Sequence, residues 1–193
     1  MKALTREDLM SLEKYADERS AFRTRVLAHK RDRRVALGEH AHLYFEDRLT
    51  VQYQVQEMLR IEKIFEAREI DEELGAYNPL IPGGRDWKAT FMLEYEDVAV
   101  RREALAQLQG VAQRVWMRAG DAARVYAIAD EDMGRDNDEK TSSVHFMRFD
   151  LTADMVTSAK AGRPITCGID HAHYQVTVTL EDRTRAALVA DLT

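Results

Sequence analysis

The hydrophobic pattern is densest between residues 45 and 65. On a helical wheel, with successive residues about 100° apart, apolar side chains cover most of the circumference. They are Leu49, Val51, Tyr53, Val55, Met58, Leu59, Ile61, Ile64 and Phe65. The stretch has no Gly or Pro, and its opening acids Glu46 and Asp47 suit the positive end of a helix dipole. The pattern predicts one long helix, over about residues 46–66, buried in a core or between two layers.

Four polar residues interrupt this apolar arc on one side. Asp47, Thr50, Gln54 and Glu57 follow the spacing i, i+3, i+7, i+10, which places them along one helix face. The solvated sector is predicted to hold Arg48, Gln52, Gln56 and Lys63.

Buried polar groups must be paired, and the polar line allows two interpretations. One is an internal hydrogen-bond network in which Arg60 folds back on Glu57. The other is the wall of a ligand or metal pocket, with Thr50, Gln54, Glu57 and Arg60 as the ligand-binding residues.

The remaining patterns alternate between strands and shorter helices. Strands are predicted at 33–37, 41–45, 88–95, 113–118, 124–129, 142–149, 163–169 and 176–180. Helices are predicted from Thr5, over 20–30, 70–77, 97–109 and 152–160, and from Glu181 to Leu192. We therefore expect a single α+β domain spanning residues 1–193. Its mainly antiparallel sheet, of about six or seven strands, would pack on the one long central helix, with the other helices peripheral.

Composition fits this expectation and excludes several classes of protein. Of the 193 residues 45% are hydrophobic and 32% charged, with a net charge of −6, as in ordinary globular proteins. The densest basic run, from Arg23 to Arg34, is more typical of a solvated helix face than of a nucleic-acid site. No apolar run approaches the roughly 18 residues of a membrane span, and Met1–Ser20 lacks the apolar segment of a signal peptide. We expect a cytoplasmic protein that binds neither nucleic acid nor membrane.

The single cysteine, Cys167, excludes a disulfide within one chain. Its strand pattern predicts a small buried hydrophobe rather than a nucleophile. No GxSxG, GxGxxG or P-loop motif is present. The acidic loop over 130–141 has Gly134 where a calcium loop of the EF-hand kind needs an acid, and Thr141 where it needs Glu.

Histidines offer candidate ligands for zinc or iron. They include two close pairs, His40 with His42 and His171 with His173. The predicted site takes His145, His171 and His173 as ligands, with Asp170 adjacent and Glu57 as a further oxygen ligand. The alternative is ordinary, since a histidine in a turn is usually solvated and one within a strand usually belongs to the core.

The chain resembles an uncharacterised bacterial family, catalogued as a domain of unknown function of about this length. The resemblance covers essentially the whole chain, and these segments carry it: Phe45–Arg48, Tyr53–Arg60, Ala76–Pro82, Lys140–Phe146 and Gly168–His171. It implies no established activity. Members are often encoded beside a rubrerythrin-like protein and an iron–sulfur oxidoreductase, which implies a role in redox or oxidative-stress metabolism with a redox protein as partner.

Two functional classes follow from these observations. The first is an accessory or binding protein in redox metabolism, which docks a redox partner. The second is a small metal-dependent or acid–base enzyme with Gln54, Glu57, Arg60, His145 and His171 around one pocket on the central helix. Whether the protein is an enzyme is left open, and so is whether it forms a homo-oligomer.

Overall fold

The computed structural model describes residues 1–129 and 140–193. In these two ranges the helices are Leu12–Arg31 (α1), Arg48–Glu62 (α2), Ala67–Tyr77 (α3), Val98–Gln107 (α4), Ala153–Lys160 (α5) and Asp182–Ala190 (α6). None of these helices has the length and apolar character that a membrane span requires. Short 3-10 helices lie at Arg6–Asp8, Asn78–Leu80 and Val111–Arg114. Residues 130–139, which hold most of the loop compared above with a calcium loop, lie outside the described part of the chain.

Two antiparallel sheets organise the same ranges. The strands are Arg34–Leu37 (β1), Ala41–Phe45 (β2), Asp86–Leu93 (β3), Val115–Ala119 (β4), Val125–Tyr126 (β5), Ile128–Ala129 (β6), Val144–Asp150 (β7), Ile165–His171 (β8) and Tyr174–Thr179 (β9). One sheet has the order β1-β2-β3-β7-β6 and the other β5-β4-β8-β9. The predicted α+β class with antiparallel pairing is confirmed, but the expectation of one sheet of six or seven strands is wrong.

The second sheet arises partly from a division within residues 124–129. Val125–Tyr126 pairs with β4, whereas Ile128–Ala129 pairs with β7 of the other sheet. Ala127 lies between them and donates its N–H to the carbonyl of Val115 at 2.8 Å. A stretch predicted as one strand therefore contributes to two sheets.

The main core lies between the two sheets. The five-stranded sheet contributes its buried inner residues, including Trp87, Phe91 and Phe149. The four-stranded sheet contributes Met117, Cys167 and others. Helices α4, α5 and α6 add the buried residues Leu105, Met155, Ala159 and Leu188. Cys167 is fully buried, which confirms its prediction as a core residue.

Helices α1 and α2 form separate apolar clusters of their own. One cluster joins Tyr15, Phe22 and Val26 of α1 to Leu49 and Tyr53 of α2. A second joins Val51, Val55 and Leu59 of α2 to the N-terminal residue Leu4, to Leu74 of α3 and to Ile81. Neither cluster merges with the main core, and a cavity lies between these helices and the outer face of the five-stranded sheet.

The prediction of a single long central helix over 46–66 is wrong in two respects. First, α2 is shorter than expected. Asp47 is its N-cap and accepts a hydrogen bond from the Thr50 N–H, while Lys63 ends the helix in the left-handed conformation, at φ 56°. Ile61 and Phe65, placed in the buried arc by the wheel, are 57% and 72% exposed.

Second, α1 is longer than α2, with 20 residues against 15. The two separate helices expected from Thr5 and over 20–30 are instead a 3-10 turn and this one helix. Ser11 caps α1 by accepting a hydrogen bond from the Lys14 N–H.

Candidate functional site

The four predicted ligand-binding residues of α2 divide between two sides of the helix. Glu57 points toward α1, where its carboxylate accepts hydrogen bonds from two N–H groups of Arg19 and from the Tyr15 hydroxyl, the latter at 2.6 Å. Arg60 folds back on it at 3.4 Å, as the network interpretation predicted. Hydrogen bonding by Arg19, opposed by burial and assisted by Tyr15 and Arg60, lowers the pKa of Glu57 to about 2. This carboxylate is fully engaged in joining two helices.

Thr50 and Gln54 belong to a different environment, between α2 and the sheet. Gln54 is exposed and lines a cavity of about 600 Å³. Thr50 is buried just behind the cavity wall and donates its hydroxyl to Glu46, which also lines the cavity, at 2.6 Å. The structure therefore does not bring the four residues together in one pocket.

The sheet–helix cavity, as we call this space, lies between α1, α2 and the outer face of the five-stranded sheet. Its apolar lining is Leu27, Val51, Tyr77, Leu80, Met92, Val144 and Phe146, and its polar lining is Lys30, Arg31, Arg34, Tyr44, Glu46, Gln54 and Thr90. A volume of this size with a few convergent polar groups is typical of small-molecule sites.

The outer face supplies the floor of the cavity through its register. Arg34 of β1 lies opposite Tyr44 of β2, Tyr44 opposite Thr90 of β3, and Thr90 opposite Phe146 of β7. Met92 and Val144 form part of the next row. The floor is therefore cationic at one end, polar in the middle and aromatic at the other end.

Three basic residues lie along one edge of the cavity. Lys30 and Arg31 belong to the last turn of α1, where positive charge is favoured by the helix dipole. Within the described ranges, neither has a carboxylate at ion-pair distance. Arg34 has only a distant one, Glu94 Oε2 at 3.9 Å, and its guanidinium lies 5.6 Å from the centre of the Tyr44 ring.

The neighbouring Arg33 has a purely internal environment. It is 4% exposed and its guanidinium binds Asp191 with N–O distances of 2.9 and 2.6 Å. Its Nε lies 3.0 Å from Asp47 Oδ2, beside His29. Burial opposes the charged form, but Asp191 and Asp47 raise the pKa of Arg33 above its usual value. Asp47, the first residue of the predicted polar line, thus serves the internal network.

The predicted metal ligands have separate partners. His145 is 1% exposed on the inner face of β7, and its Nε2 lies 3.0 Å from both Thr141 Oγ1 and the carbonyl of Ser142. His171, on the other sheet, accepts the His173 N–H at Nδ1, so its Nε2 donates to the carbonyl of Gln109 at 3.0 Å. The described residues contain no group of three or more metal-ligating side chains. Zinc or iron binding stays a prediction.

The first histidine pair lies at the other end of the outer face. His40 stacks on Tyr95 with ring centres 4.2 Å apart. His42 is buried, with Nδ1 3.3 Å from Glu94 Oε2. Burial lowers the pKa of His42, although Glu94 opposes the shift. Since His42 pairs with the outer residue Met92, and His145 pairs with the inner residue Phe91, the sheet separates these two imidazoles.

Sequence reasoning missed Glu46, Lys30, Arg31 and Arg34 as members of one site. The sequence pattern identifies Glu46 only as an acid at the start of the helix, and the basic run only as a solvated face. One local signal is present, because Glu46 and Thr50 have the i, i+4 spacing of side chains that meet across a helical turn. The contribution of Thr90 depends on sheet pairing and has no local signal.

Comparisons with known proteins agree with this fold. A family model described as "Protein of unknown function (DUF3501)" matches residues 3–192. The chain is also similar to a protein of unknown function from Burkholderia pseudomallei K96243, whose crystal structure has a TM-score of 0.94. The two are 49% identical in sequence, and the similarity covers 100% of each chain. Among curated proteins, no match to this chain is found. The resemblance to an uncharacterised family is confirmed.

Proposed function

The chain belongs to the DUF3501 family of proteins of unknown function, and we propose that it is a binding protein for a small organic anion with an apolar body. The ligand occupies the sheet–helix cavity. One observation carries this proposal: Lys30, Arg31 and Arg34 gather at the edge of a largely apolar cavity of about 600 Å³. The whole protein is acidic, with a net charge of −6, whereas this edge holds three positively charged side chains.

The lining combines a charged edge with apolar residues such as Met92 and Val144, and this combination sets the chemistry of the ligand. An anionic head group would act as the ion-pair partner that Lys30 and Arg31 lack among the described residues. Met92 and Val144 would bury the apolar body, at a gain of about 25 cal/mol for each Å² removed from water. A free fatty acid of medium length has both features.

This proposal develops the class of accessory or binding protein predicted from the sequence. The enzyme alternative required Glu57 and Arg60 in the pocket, and these two residues are occupied by Arg19 and by each other. The redox role and the rubrerythrin-like partner stay predictions that rest on the resemblance.

Isothermal titration calorimetry with octanoate tests the proposal, with 1-octanol as the neutral ligand of equal chain length. We expect octanoate to bind more tightly than 1-octanol. The triple variant Lys30→Gln, Arg31→Gln, Arg34→Gln should lose at least about tenfold in octanoate affinity. A single hydrogen bond to a charged group contributes about 1.5–3 kcal/mol, and tenfold corresponds to about 1.4 kcal/mol.

A second triple variant controls for the change in net charge. Lys14→Gln, Arg23→Gln, Arg68→Gln removes three exposed cations that do not line the cavity, and it should bind octanoate like the wild type. Equal binding of octanoate and 1-octanol by the wild type, or equal losses in the two triple variants, would overturn the proposal.

A further inference from the structure

Glu46 is the acid of the cavity wall, and it is held from three directions. Its backbone N–H donates to the carbonyl of Lys88 at 2.8 Å. Its Oε2 accepts the Thr50 hydroxyl at 2.6 Å, and its Oε1 accepts the Thr90 hydroxyl at 2.8 Å. The carboxylate is therefore fixed between α2 and β3, and each oxygen keeps a lone pair for a further donor.

No basic side chain of the described ranges forms an ion pair with Glu46. Nearby cations have other partners, since Arg33 and His29 both contact Asp47, and Arg48 binds Asp8. Glu46 is half-buried, its two side-chain donors are neutral, and Arg33 acts on it only through Coulombic attraction without an ion pair, so its charge is incompletely compensated. A positively charged group entering the cavity would supply what is missing.

The register of the sheet sets the separation between this acid and the basic edge. Arg34 lies opposite Tyr44, and Tyr44 lies opposite Thr90, which holds Glu46. Two strand spacings of about 4.8 Å separate the backbone of Arg34 from the backbone of Thr90, which is about 10 Å across the floor. The cavity thus presents a positive anchor at one edge and a negative anchor near the middle of its floor, with Tyr44 between them.

We propose that the ligand is amphoteric, with an ammonium group bound by Glu46 and an anionic group bound at the basic edge about 10 Å away. This inference rests on the proposed function and narrows it from organic anions to amino acids or related amines with a long or bulky apolar middle. Thr50 and Thr90 are positioning residues that aim the carboxylate. Thr50, predicted as a ligand-binding residue, acts through Glu46.

The test compares 8-aminooctanoate with octanoate by calorimetry on the wild type. The two probes share chain length and carboxylate, and the first adds an ammonium group at a distance that matches the cavity floor. We expect 8-aminooctanoate to bind about tenfold more tightly, which is about 1.4 kcal/mol, because its ammonium group adds a hydrogen bond between charged groups. Octanoate binding tests the proposed function, and the difference between the two probes tests the amphoteric ligand. Each proposal can therefore fail without the other. If octanoate binds and the added ammonium gives no advantage, the amphoteric ligand is overturned.

The Glu46→Gln variant locates the effect. It should abolish the preference for 8-aminooctanoate while octanoate still binds, because the basic edge is unchanged. A preference that survives in Glu46→Gln would place the ammonium elsewhere and overturn the role of Glu46. Thr90→Val keeps the carboxylate and removes one of its two side-chain donors, so it should reduce the preference without abolishing octanoate binding. The wild-type comparison stands whether or not either variant folds.

Discussion

Arg19 of α1 binds both carboxylate oxygens of Glu57 of α2, with Nε–Oε1 and Nη2–Oε2 distances of 2.7 and 2.8 Å. The pair links two helices that also pack through the apolar cluster of Tyr15, Phe22, Val26, Leu49 and Tyr53. Glu57 is 17% exposed and Arg19 is 35% exposed, so the contact is partly shielded from water. It gives the stability of the helix pair a defined dependence on pH.

The folded protein should lose stability in acid through Glu57. Folding lowers the pKa of this carboxyl from its ordinary value of 4.5 to about 2. A lowered folded pKa contributes stability above pH 4.5, and this contribution is lost as pH falls toward 2. Because solvent screens the pair, we expect Glu57 to account for about 1–2 kcal/mol of this loss. Urea unfolding at pH 7, 4.5 and 3 measures this loss. The fall in the free energy of unfolding below pH 4.5, which we call the acid limb, should be less steep in Glu57→Gln than in the wild type.

The Arg68–Glu72 pair offers a matched control for that measurement. It is also a helical carboxylate–arginine contact, at 2.9 Å, but its side chains are 90% and 61% exposed. Glu72→Gln should change the free energy of unfolding by less than about 0.5 kcal/mol and leave the acid limb unchanged. Parallel acid limbs for the wild type and Glu57→Gln would contradict the assignment.

The sequence pattern puts Gln56 in the solvated sector and Gln54 in the polar line of the apolar arc. We expect the stability of substituted variants to show the opposite arrangement. Gln56, predicted to lie in the solvated sector, is fully buried and pairs with both backbone groups of Met10, at 2.6 and 3.3 Å. Gln56→Ala should cost about 2–3 kcal/mol of unfolding free energy, since it leaves the partly buried N–H and C=O groups of Met10 unpaired. Gln54→Ala, two residues earlier, should cost less than about 0.5 kcal/mol. Chemical denaturation of both variants decides between these expectations, and equal losses would contradict them.

The error at Gln56 shows what a helical wheel omits. The wheel of α2 correctly places Val51, Val55 and Leu59 in the interior. It has no information about the N-terminal segment, whose Asp8 and Met10 backbones bind Gln52 and Gln56. In the sequence, a polar side chain that hydrogen-bonds to a backbone segment lying over the helix has the same position on the wheel as a side chain exposed to solvent. The sequence pattern divides α1 for a related reason, because Arg19 interrupts its inward face between Tyr15 and Phe22.

Local signals are reliable where the structure depends on neighbours in sequence. The strand Ala41–Phe45 has the predicted bounds, and the helix predicted over 152–160 is α5, whose N-cap Thr152 accepts the Met155 N–H. The division into two sheets depends on partners far apart in the chain, such as Trp116 with Gly168. The sheet–helix cavity depends on the same long-range register, so only Gln54 and the basic run stand out in the sequence.

Gly168 and Gly75 should show opposite effects of adding one methyl group. A Cβ on Gly168 would lie 2.2 Å from the carbonyl oxygen of Val176 and 2.7 Å from the Trp116 ring, whereas a Cβ on Gly75 would meet nothing within 4 Å. Gly168→Ala should destabilise the protein by about 3 kcal/mol through overpacking. Gly75→Ala, inside α3, should stabilise it by about 0.5–1 kcal/mol. Thermal unfolding reports both, and a neutral Gly168→Ala would show that β8 and β9 are less tightly packed than these distances imply.

Asp191 should be among the most sensitive positions in the chain because it neutralises the buried Arg33. Both side chains are nearly inaccessible, 2% exposed for Asp191 and 4% for Arg33. Burial raises the pKa of Asp191, and Arg33 opposes that shift. Asp191→Asn keeps the shape but removes the charge, so that among the described residues Asp47 would remain as the ion-pair partner of Arg33, and we expect a loss of about 3 kcal/mol. Asp182→Asn breaks an exposed pair with Arg185 at 3.3 Å, where Asp182 is 95% exposed, and should cost almost nothing. Urea unfolding at neutral pH compares the two variants, and equal losses would mean that the Arg33 network does not hold α1, α2 and α6 together.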